Sequence, residues 1–255
     1  LEVLIGISRF WEQRFSFSED KNKYVLLGIT GPNEYENNVN NNWYTNYIAK
    51  WCLNYSFIQV QKVREKYMTD YKRIKKKTGL NEIEIKKWKE IYQNIYMPYD
   101  SKKQVYLQQE GFLDKELKFV DEIPINERPI NQNWSWDKIL RSPYIKQADV
   151  LQGFYFFEDD FTREELRRNF EFYEPFTVHE SSLSACVHSI LASRLDKKQK
   201  AYQFFLNASR LDLDDYNKEV MEGLHITSMG GAWLIISKGF GGMKINNGFF
   251  SFNPK

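Results

Sequence analysis

A single carboxylate in an unusual setting is the first candidate for chemistry. Glu34 follows Gly31-Pro32, so its side chain should project from a turn that precedes a helix. The surrounding segment, GITGPNEYENNVNNNWYTNYIAKW (28–51), is rich in asparagine and aromatic residues, whose amides and flat faces suit sugar hydroxyls and sugar rings. A carboxyl group there can serve as a general acid, although an ordinary solvated turn fits the same residues. Glu36, which has no such turn before it, is expected to be solvated.

The segment HITSMGG (225–231) is a candidate anion site. It places His225, Thr227 and Ser228 ahead of an apolar helix, together with two glycines. Backbone N–H groups at a helix start can hold a phosphate with the help of hydroxyls, and glycine allows close approach. An ordinary serine or threonine helix cap with glycines for close packing explains the same pattern.

A third polar segment, VHESSLSACVHS (178–189), combines serine with histidine. It lacks the strand–turn–helix elbow that presents a nucleophilic serine, so its hydroxyls are expected to cap a helix. His188 should lie within that helix as a partly buried, hydrogen-bonded residue. The three histidines and two cysteines of the chain have no metal-ligand spacing, and no metal site is predicted.

Composition excludes several classes of protein. The 36 lysines and arginines nearly balance 34 aspartates and glutamates, which argues against a nucleic-acid partner. No run of eighteen or more apolar residues occurs, so no membrane span is predicted. Cys52 and Cys186 are expected to be reduced thiols, which fits a cytoplasmic location. A first residue other than Met suggests a piece of a longer protein.

The elements that must position these residues are mostly helical. Apolar residues recur every three or four positions from Trp43 to Ile58 and from Ile83 to Ile95, which predicts two amphipathic helices. Residues 97–141 lose this period but keep aromatic residues, and we expect a functional loop that covers something.

The second half of the chain continues the helical pattern. Ser142-Pro143 is typical of a helix start, which would put Lys146 and Gln147 in the first turns of a helix that buries Val150, Leu151 and Phe154. A capping box at Thr162 and Glu165 opens the next helix, Pro175 ends it, and two more helices follow. At the C-terminus, Asn246-Asn247-Gly248 predicts a turn, and Phe249, Phe250 and Phe252 after it are typical of a strand.

Four ordered blocks carry a family resemblance. TGPNEYENNVNNNWYTNYIAKW, NWSWDKILRSPYIKQADVLQG, YEPFTVHESSLSACVHSILA and EGLHITSMGGAW resemble the disaccharide phosphorylases of glycoside hydrolase family 65. The resemblance implies an all-α fold, a partial (α/α)6 toroid-type barrel. Residues 1–240 would be the latter part of the catalytic barrel and 241–255 the start of a C-terminal β-domain. The N-terminal β-sandwich and the first barrel helices would lie outside this chain.

The resemblance also implies roles for single residues. Glu34 falls on the family's catalytic general acid. The expected substrate-binding residues are Lys146, Gln147 and Glu174. The expected phosphate-binding residues are His225, Thr227, Ser228 and Gly230, of which Gly230 stands where SMGGAW departs from the family's usual Ala-Gly pair.

The implied reaction is inverting phosphorolysis of an α-linked glucose disaccharide, with maltose as the expected substrate and β-glucose 1-phosphate as a product. Inorganic phosphate would be a co-substrate, no cofactor is expected, and the family commonly forms homodimers. Two alternatives stay open. One is a trehalase-like hydrolase of the same barrel, with Glu174 or Glu180 as the base, and the other is a sugar-binding helical domain without turnover.

Overall fold

The structure, a computed structural model, describes residues 1–246 and 248–255. These residues form two compact units. Unit 1 contains Leu1–Ile29, Asn38–Pro98 and Gln108–Glu110. Unit 2 contains Thr30–Asn37, Tyr99–Leu107 and Gly111–Lys255.

Unit 1 is a group of four helices with a short hairpin. Buried apolar residues from every helix meet in one core, among them Ile5, Leu53 and Trp88. The two periodic helices are present as predicted, and each begins at an asparagine whose side chain caps it, Asn42 and Asn81. The elements are α1 (Glu2–Arg14), β1 (Ser16–Ser18), β2 (Lys23–Val25), α2 (Trp43–Lys66), α3 (Met68–Thr78) and α4 (Glu82–Gln93), with β1 and β2 antiparallel.

The asparagines of unit 1 hold its backbone in place. The side-chain oxygen of Asn41 accepts a hydrogen bond from the Leu26 N–H at 2.9 Å, and that of Asn40 accepts from the Gly28 N–H at 3.1 Å. Asn46 Nδ2 donates to the Tyr96 carbonyl at 2.8 Å. Buried backbone groups need such partners. These amide contacts therefore explain much of the asparagine-rich segment without a sugar.

Unit 2 is built around one fully embedded helix. Residues Ser184 to Ser193 of that helix, α9, are all buried. It packs against α7, α8, α10 and α12. The elements are β3 (Tyr99–Asp100), β4 (Val105–Tyr106), α5 (Ile130–Asn133), α6 (Trp136–Arg141), α7 (Val150–Phe156), α8 (Arg163–Tyr173), α9 (Ser184–Arg194), α10 (Lys198–Ser209), α11 (Leu211–Asp214), α12 (Ile226–Leu234), β5 (Lys244–Asn246) and β6 (Phe249–Ser251), and both strand pairs are antiparallel.

The predicted start of α8 is confirmed, and the predicted start of α7 is wrong. Thr162 and Glu165 form the expected capping box. The helix predicted from Ser142-Pro143 begins instead at Val150. Ile145 is extended because its N–H donates to the Phe176 carbonyl and its carbonyl accepts from the Val178 N–H, both at 2.9 Å. This long-range pairing overrides the local helix signal.

Residues 111–141 of the predicted loop, all of which lie in unit 2, are partly buried. They contain 3₁₀ turns and the short helices α5 and α6. Ile123, Ile130 and Ile139 pack with Tyr35, the residue after Glu34. The loop thus packs against Tyr35 and covers part of the segment that carries the candidate acid.

The C-terminal strands and the two cysteines were also predicted from the sequence. The strands β5 and β6 flank the predicted C-terminal turn, of which Asn247 lies outside the described residues. Cys52 and Cys186 are free thiols. Within residues 1–246 and 248–255, no helix combines the length and apolar character needed to span a membrane.

Candidate functional site

Glu34 and Lys146 form a solvent-accessible pair in unit 2. The Lys146 Nζ lies 2.5 Å from the Glu34 Oε2. The Glu34 side chain is 54% exposed and that of Lys146 is 23% exposed. A carboxylate that is this open can reach a ligand, and its lysine partner can bind sugar hydroxyls. The structure therefore brings the predicted acid and one predicted sugar-binding residue together.

Hydrogen bonds between two loops fix the positions of Glu34 and Lys146. The side-chain oxygen of Asn33, which is fully buried, accepts from the Lys146 N–H at 2.9 Å and from the Tyr35 N–H at 3.2 Å. The Asn33 N–H donates to Asp149 Oδ2 at 3.1 Å. These bonds fasten the GPNEY turn to the KQAD segment and fix both members of the pair.

Gln147 contributes to the same attachment. Its Nε2 donates to the Pro32 carbonyl at 2.7 Å, and the residue is 5% exposed. Its Oε1 is buried and has no hydrogen-bond partner within the described part of the chain. Gln147 thus positions the turn before Glu34, and its predicted sugar contact stays a prediction.

Glu36 is buried, so the expectation that it is solvated is wrong. It is 6% exposed and pairs with Lys115. Lys115 Nζ also donates to the Leu140 carbonyl at 2.9 Å and the Ser142 carbonyl at 2.8 Å. Sequence alone gives no signal for this pair because its partners are 79 residues apart.

Glu180 is a buried carboxylate that binds the residue after Glu34 and the start of α5. It is 4% exposed and accepts hydrogen bonds from the Tyr35 hydroxyl at 2.5 Å and the Ile130 N–H at 2.8 Å. Burial, together with Glu180, raises the pKa of Tyr35, so the phenol stays protonated and keeps donating. Glu180 therefore has both oxygens engaged in holding residues 35 and 130.

The predicted phosphate segment is organised by Asp212. His225 Nδ1 lies 2.5 Å from Asp212 Oδ1, and the His225 N–H donates to Asp212 Oδ2 at 3.0 Å. These two bonds from His225 lower the pKa of Asp212. The other ring nitrogen, Nε2, lies 3.9 Å from a Glu219 oxygen. The ring is thus held in one orientation, with Nε2 turned away from Asp212.

Thr227, Ser228 and Gly230 occupy the first turns of α12 in different ways. Thr227 is exposed, whereas Ser228 is buried and donates to the Ala208 carbonyl at 2.7 Å. A Cβ added at Gly230 would meet nothing within 4 Å, but one added at Gly231 would lie 2.9 Å from Cys186 Cβ. The glycine that packing requires is therefore Gly231.

Glu219 lies beside the His225 ring, with a carboxylate oxygen 3.9 Å from Nε2. Burial and the nearby Glu222 raise the pKa of Glu219. Neither Glu219 nor Asp212 was predicted, and the only sequence signal was their acidic segment, LDLDDYNKE, ahead of HITS.

Glu174 is not part of this cluster. Its carboxylate lies 2.6 Å from Lys200 Nζ at the start of a 3₁₀ turn. Among the described residues, no hydrogen bond or ion pair joins it to Glu34, Lys146 or His225. Its predicted role in sugar binding stays a prediction. The described residues also contain no group of three His, Cys, Asp or Glu side chains arranged for a metal ion.

Comparisons with known proteins agree with the resemblance. The family model described as the glycosyl hydrolase family 65 central catalytic domain matches residues 1–234. The chain is 54% identical over 254 residues to maltose phosphorylase from Bacillus subtilis (strain 168) and 39% identical over 255 residues to alpha,alpha-trehalose phosphorylase from Thermoanaerobacter brockii. Both matches cover all of this chain and 33% of the relative.

A solved structure of a proposed kojibiose phosphorylase from the human microbiome has a TM-score of 0.90 and 37% identity, and the match covers 100% of this chain and 35% of that one. The chain thus spans about a third of the length of the relatives it matches. The likeness confirms the predicted fold class, a mainly helical part of an (α/α)6 barrel with strands beginning at the C-terminus. The match over residues 1–234 shows that the chain belongs to glycosyl hydrolase family 65.

Proposed function

We propose that the complete protein phosphorolyses an α-linked glucose disaccharide with inversion, and that its substrate is maltose. The observation that supports this most is the open Glu34–Lys146 pair, which the buried Asn33 holds in place. The 54% identity to a maltose phosphorylase, against 39% to a trehalose phosphorylase, supports the choice of maltose. A homodimer in the cytoplasm remains part of the proposal.

The proposed reaction needs one catalytic acid. Glu34 gives its proton to the glycosidic oxygen as the bond from that oxygen to the anomeric carbon breaks. A phosphate oxygen attacks the same carbon from the opposite face, which yields β-glucose 1-phosphate and free glucose. The phosphate proton is then released, and solvent returns a proton to Glu34. An inverting hydrolase would need a second carboxylate to activate water, which phosphate makes unnecessary.

Lys146 has two successive roles in this scheme. A general acid must carry a proton before it can donate one, so the ion pair with Glu34 has to open when sugar binds. The Lys146 ammonium can then donate to sugar hydroxyls. The binding of the correct sugar would thereby prepare the acid, and positioning of this kind supplies much of the rate in enzymes.

The proposed phosphate position lies at the start of α12. Nδ1 and the backbone N–H of His225 are both bonded to Asp212, so Nε2, which lies 3.9 Å from a Glu219 oxygen, is the ring atom that would bind the anion. The exposed Thr227 hydroxyl is available beside it. Ser228 donates its hydroxyl proton to Ala208, so its side chain can only accept from a protonated phosphate oxygen.

Glu174 and Glu180, which the sequence offered as possible bases of a hydrolase, are both paired with other groups. Glu180 accepts from Tyr35 and Ile130, and Glu174 pairs with Lys200. This favours phosphate over water as the nucleophile.

The test is sugar 1-phosphate release from maltose by the complete polypeptide, with and without inorganic phosphate. Glu34→Gln should lower the phosphate-dependent rate by at least about 100-fold, the lower end of general acid catalysis. Glu116→Gln, the same change at an exposed glutamate of unit 2, should keep full activity. Glucose release that ignores phosphate would show a hydrolase and direct attention to Glu219 as the base. Sugar binding without turnover would show a binding domain.

A further inference from the structure

A second group of cations in unit 2 surrounds a cavity that the proposed reaction does not use. The cavity has a volume of about 340 Å³, at the small end of the range for ligand pockets. Its charged lining residues are Glu158, Arg163, Arg194, Lys238, Lys244 and Lys255. Five of these six side chains are positive, so the lining is suited to an anion.

The nearby acids do not balance these cations. Asp196 is shared by Arg163 at 2.5 Å and Lys255 at 3.3 Å. Glu158 pairs with Arg194 and lies 3.5 Å from Lys244, which also lies 3.6 Å from Asp159. Three carboxylates thus pair with four of the five cations, and the fifth, Lys238, pairs with no described carboxylate. The excess of two positive charges matches the charge of a phosphate group near neutral pH.

Two of the five cations, Arg194 and Lys238, have nitrogen donors that could still bind an anion. Arg194 is largely buried, and its Nη1 has no hydrogen-bond partner within the described part of the chain. Burial lowers the pKa of Arg194, because the guanidinium has lost water that one carboxylate does not fully replace. Lys238 forms no ion pair with any described residue and lies near the Tyr155 ring, 5.3 Å from its centroid.

The wall of the cavity is built by the protein's own hydrogen bonds. The Asn253 N–H donates to the Gly241 carbonyl at 3.2 Å, and the Lys255 N–H donates to the Phe240 carbonyl at 2.9 Å. Gly242 has φ +58, and a Cβ there would lie 2.1 Å from the Asn253 oxygen. Only glycine permits this close approach of the C-terminal segment. Thr162 and Arg163, at the start of α8, also line the cavity.

We propose that this cavity binds a phosphate group, carried either by inorganic phosphate or by a small phosphorylated sugar, at a site separate from the His225 segment. Arg194 Nη1 and Lys238 Nζ are the groups that gain a partner when the anion binds. The cavity also joins α7, α8, α9 and the strands β5 and β6, so an occupant would hold these elements together. The inference does not depend on the proposed reaction.

The test is isothermal titration calorimetry of the complete polypeptide with inorganic phosphate, glucose 1-phosphate and glucose. Two equivalents of phosphate should bind. His225→Ala should remove one, and Lys238→Gln should weaken the other about tenfold, the effect of losing one charge-assisted hydrogen bond. Lys244→Gln should act in the same direction, and it leaves Glu158 paired with Arg194. Lys102→Gln, at an exposed lysine of unit 2, is the matched control and should change neither.

The outcomes separate this inference from the proposed function. A single equivalent that Lys238→Gln weakens and His225→Ala leaves unchanged would support the cavity and count against the phosphorylase site. Tighter binding of glucose 1-phosphate would identify a sugar phosphate as the ligand, and equal or weaker binding would identify inorganic phosphate. The inference is overturned if Lys238→Gln and Lys244→Gln leave every phosphate affinity unchanged, or if uncharged glucose competes for this site.

Discussion

The buried Glu36–Lys115 pair allows a quantitative prediction about the loop that carries the candidate acid. The side chains of Glu36 and Lys115 are only 7% and 13% exposed, and Lys115 also bonds the carbonyls of Leu140 and Ser142. Lys115→Met would leave a buried carboxylate without its cation. Removing one member of such a pair costs about 3 to 5 kcal/mol in the free energy of unfolding. Because Glu36 is two residues from Glu34, activity should fall as well.

The assay is urea unfolding of the complete polypeptide, followed by tryptophan fluorescence and activity. Lys115→Met should lower the urea concentration at which activity is half lost, because unit 2 then unfolds more readily. The double variant Lys115→Met with Glu36→Gln should recover part of the loss, because no buried charge is then left unpaired. Lys118→Met is the matched control. Its partner Glu116 is 77% exposed, so this surface pair adds little to the free energy of unfolding and the midpoint should hardly change. The reasoning is refuted if Lys115→Met costs no more than Lys118→Met.

Three further predictions concern unit 2. Burial lowers the pKa of His188 to about 4, so the unfolded chain binds a proton first, and stability should fall by about 3 kcal/mol as the pH drops from 6.5 to 4. His188→Gln should flatten that part of a curve of unfolding free energy against pH. Gly231→Ala should cost about 1 to 3 kcal/mol in thermal or chemical unfolding, because its Cβ would lie 2.9 Å from that of Cys186, and Gly230→Ala should be nearly neutral. Asp212→Asn should raise the KM for phosphate about tenfold while the KM for maltose stays within twofold, since Asp212 orients the His225 ring. Equal changes in both KM values would mean that Asp212 only supports the fold.

The elements that sequence patterns predicted well are those that depend on near neighbours. The helix period from Trp43 and the capping box at Thr162 both report interactions within a few residues, and both are present. The start of α7 was misplaced because Ile145 pairs with the backbone of residues 176 and 178. A pairing across some thirty residues leaves no trace in local spacing.

In the candidate site, too, local features could be predicted and long-range contacts could not. Glu34 could be selected from its Gly-Pro turn and the family resemblance. The partners that fix its surroundings could not, because Lys115, Glu180 and Asp149 approach through the folded chain. The asparagines after Glu34 suggested sugar recognition, yet several of them satisfy backbone groups. Amides serve both purposes equally well, so composition alone cannot separate them.

The most direct test of the central claim is the activity of the Glu34→Gln variant on two substrates, maltose and α-glucosyl fluoride, in the presence of phosphate. Fluoride leaves without a proton, whereas the glycosidic oxygen of maltose requires one. If Glu34 is the general acid, the variant should lose at least about 100-fold on maltose and keep most of its rate on the fluoride, forming β-glucose 1-phosphate. Equal losses on both substrates would contradict the account, because Glu34 would then position the sugar or support the fold and would not donate the proton.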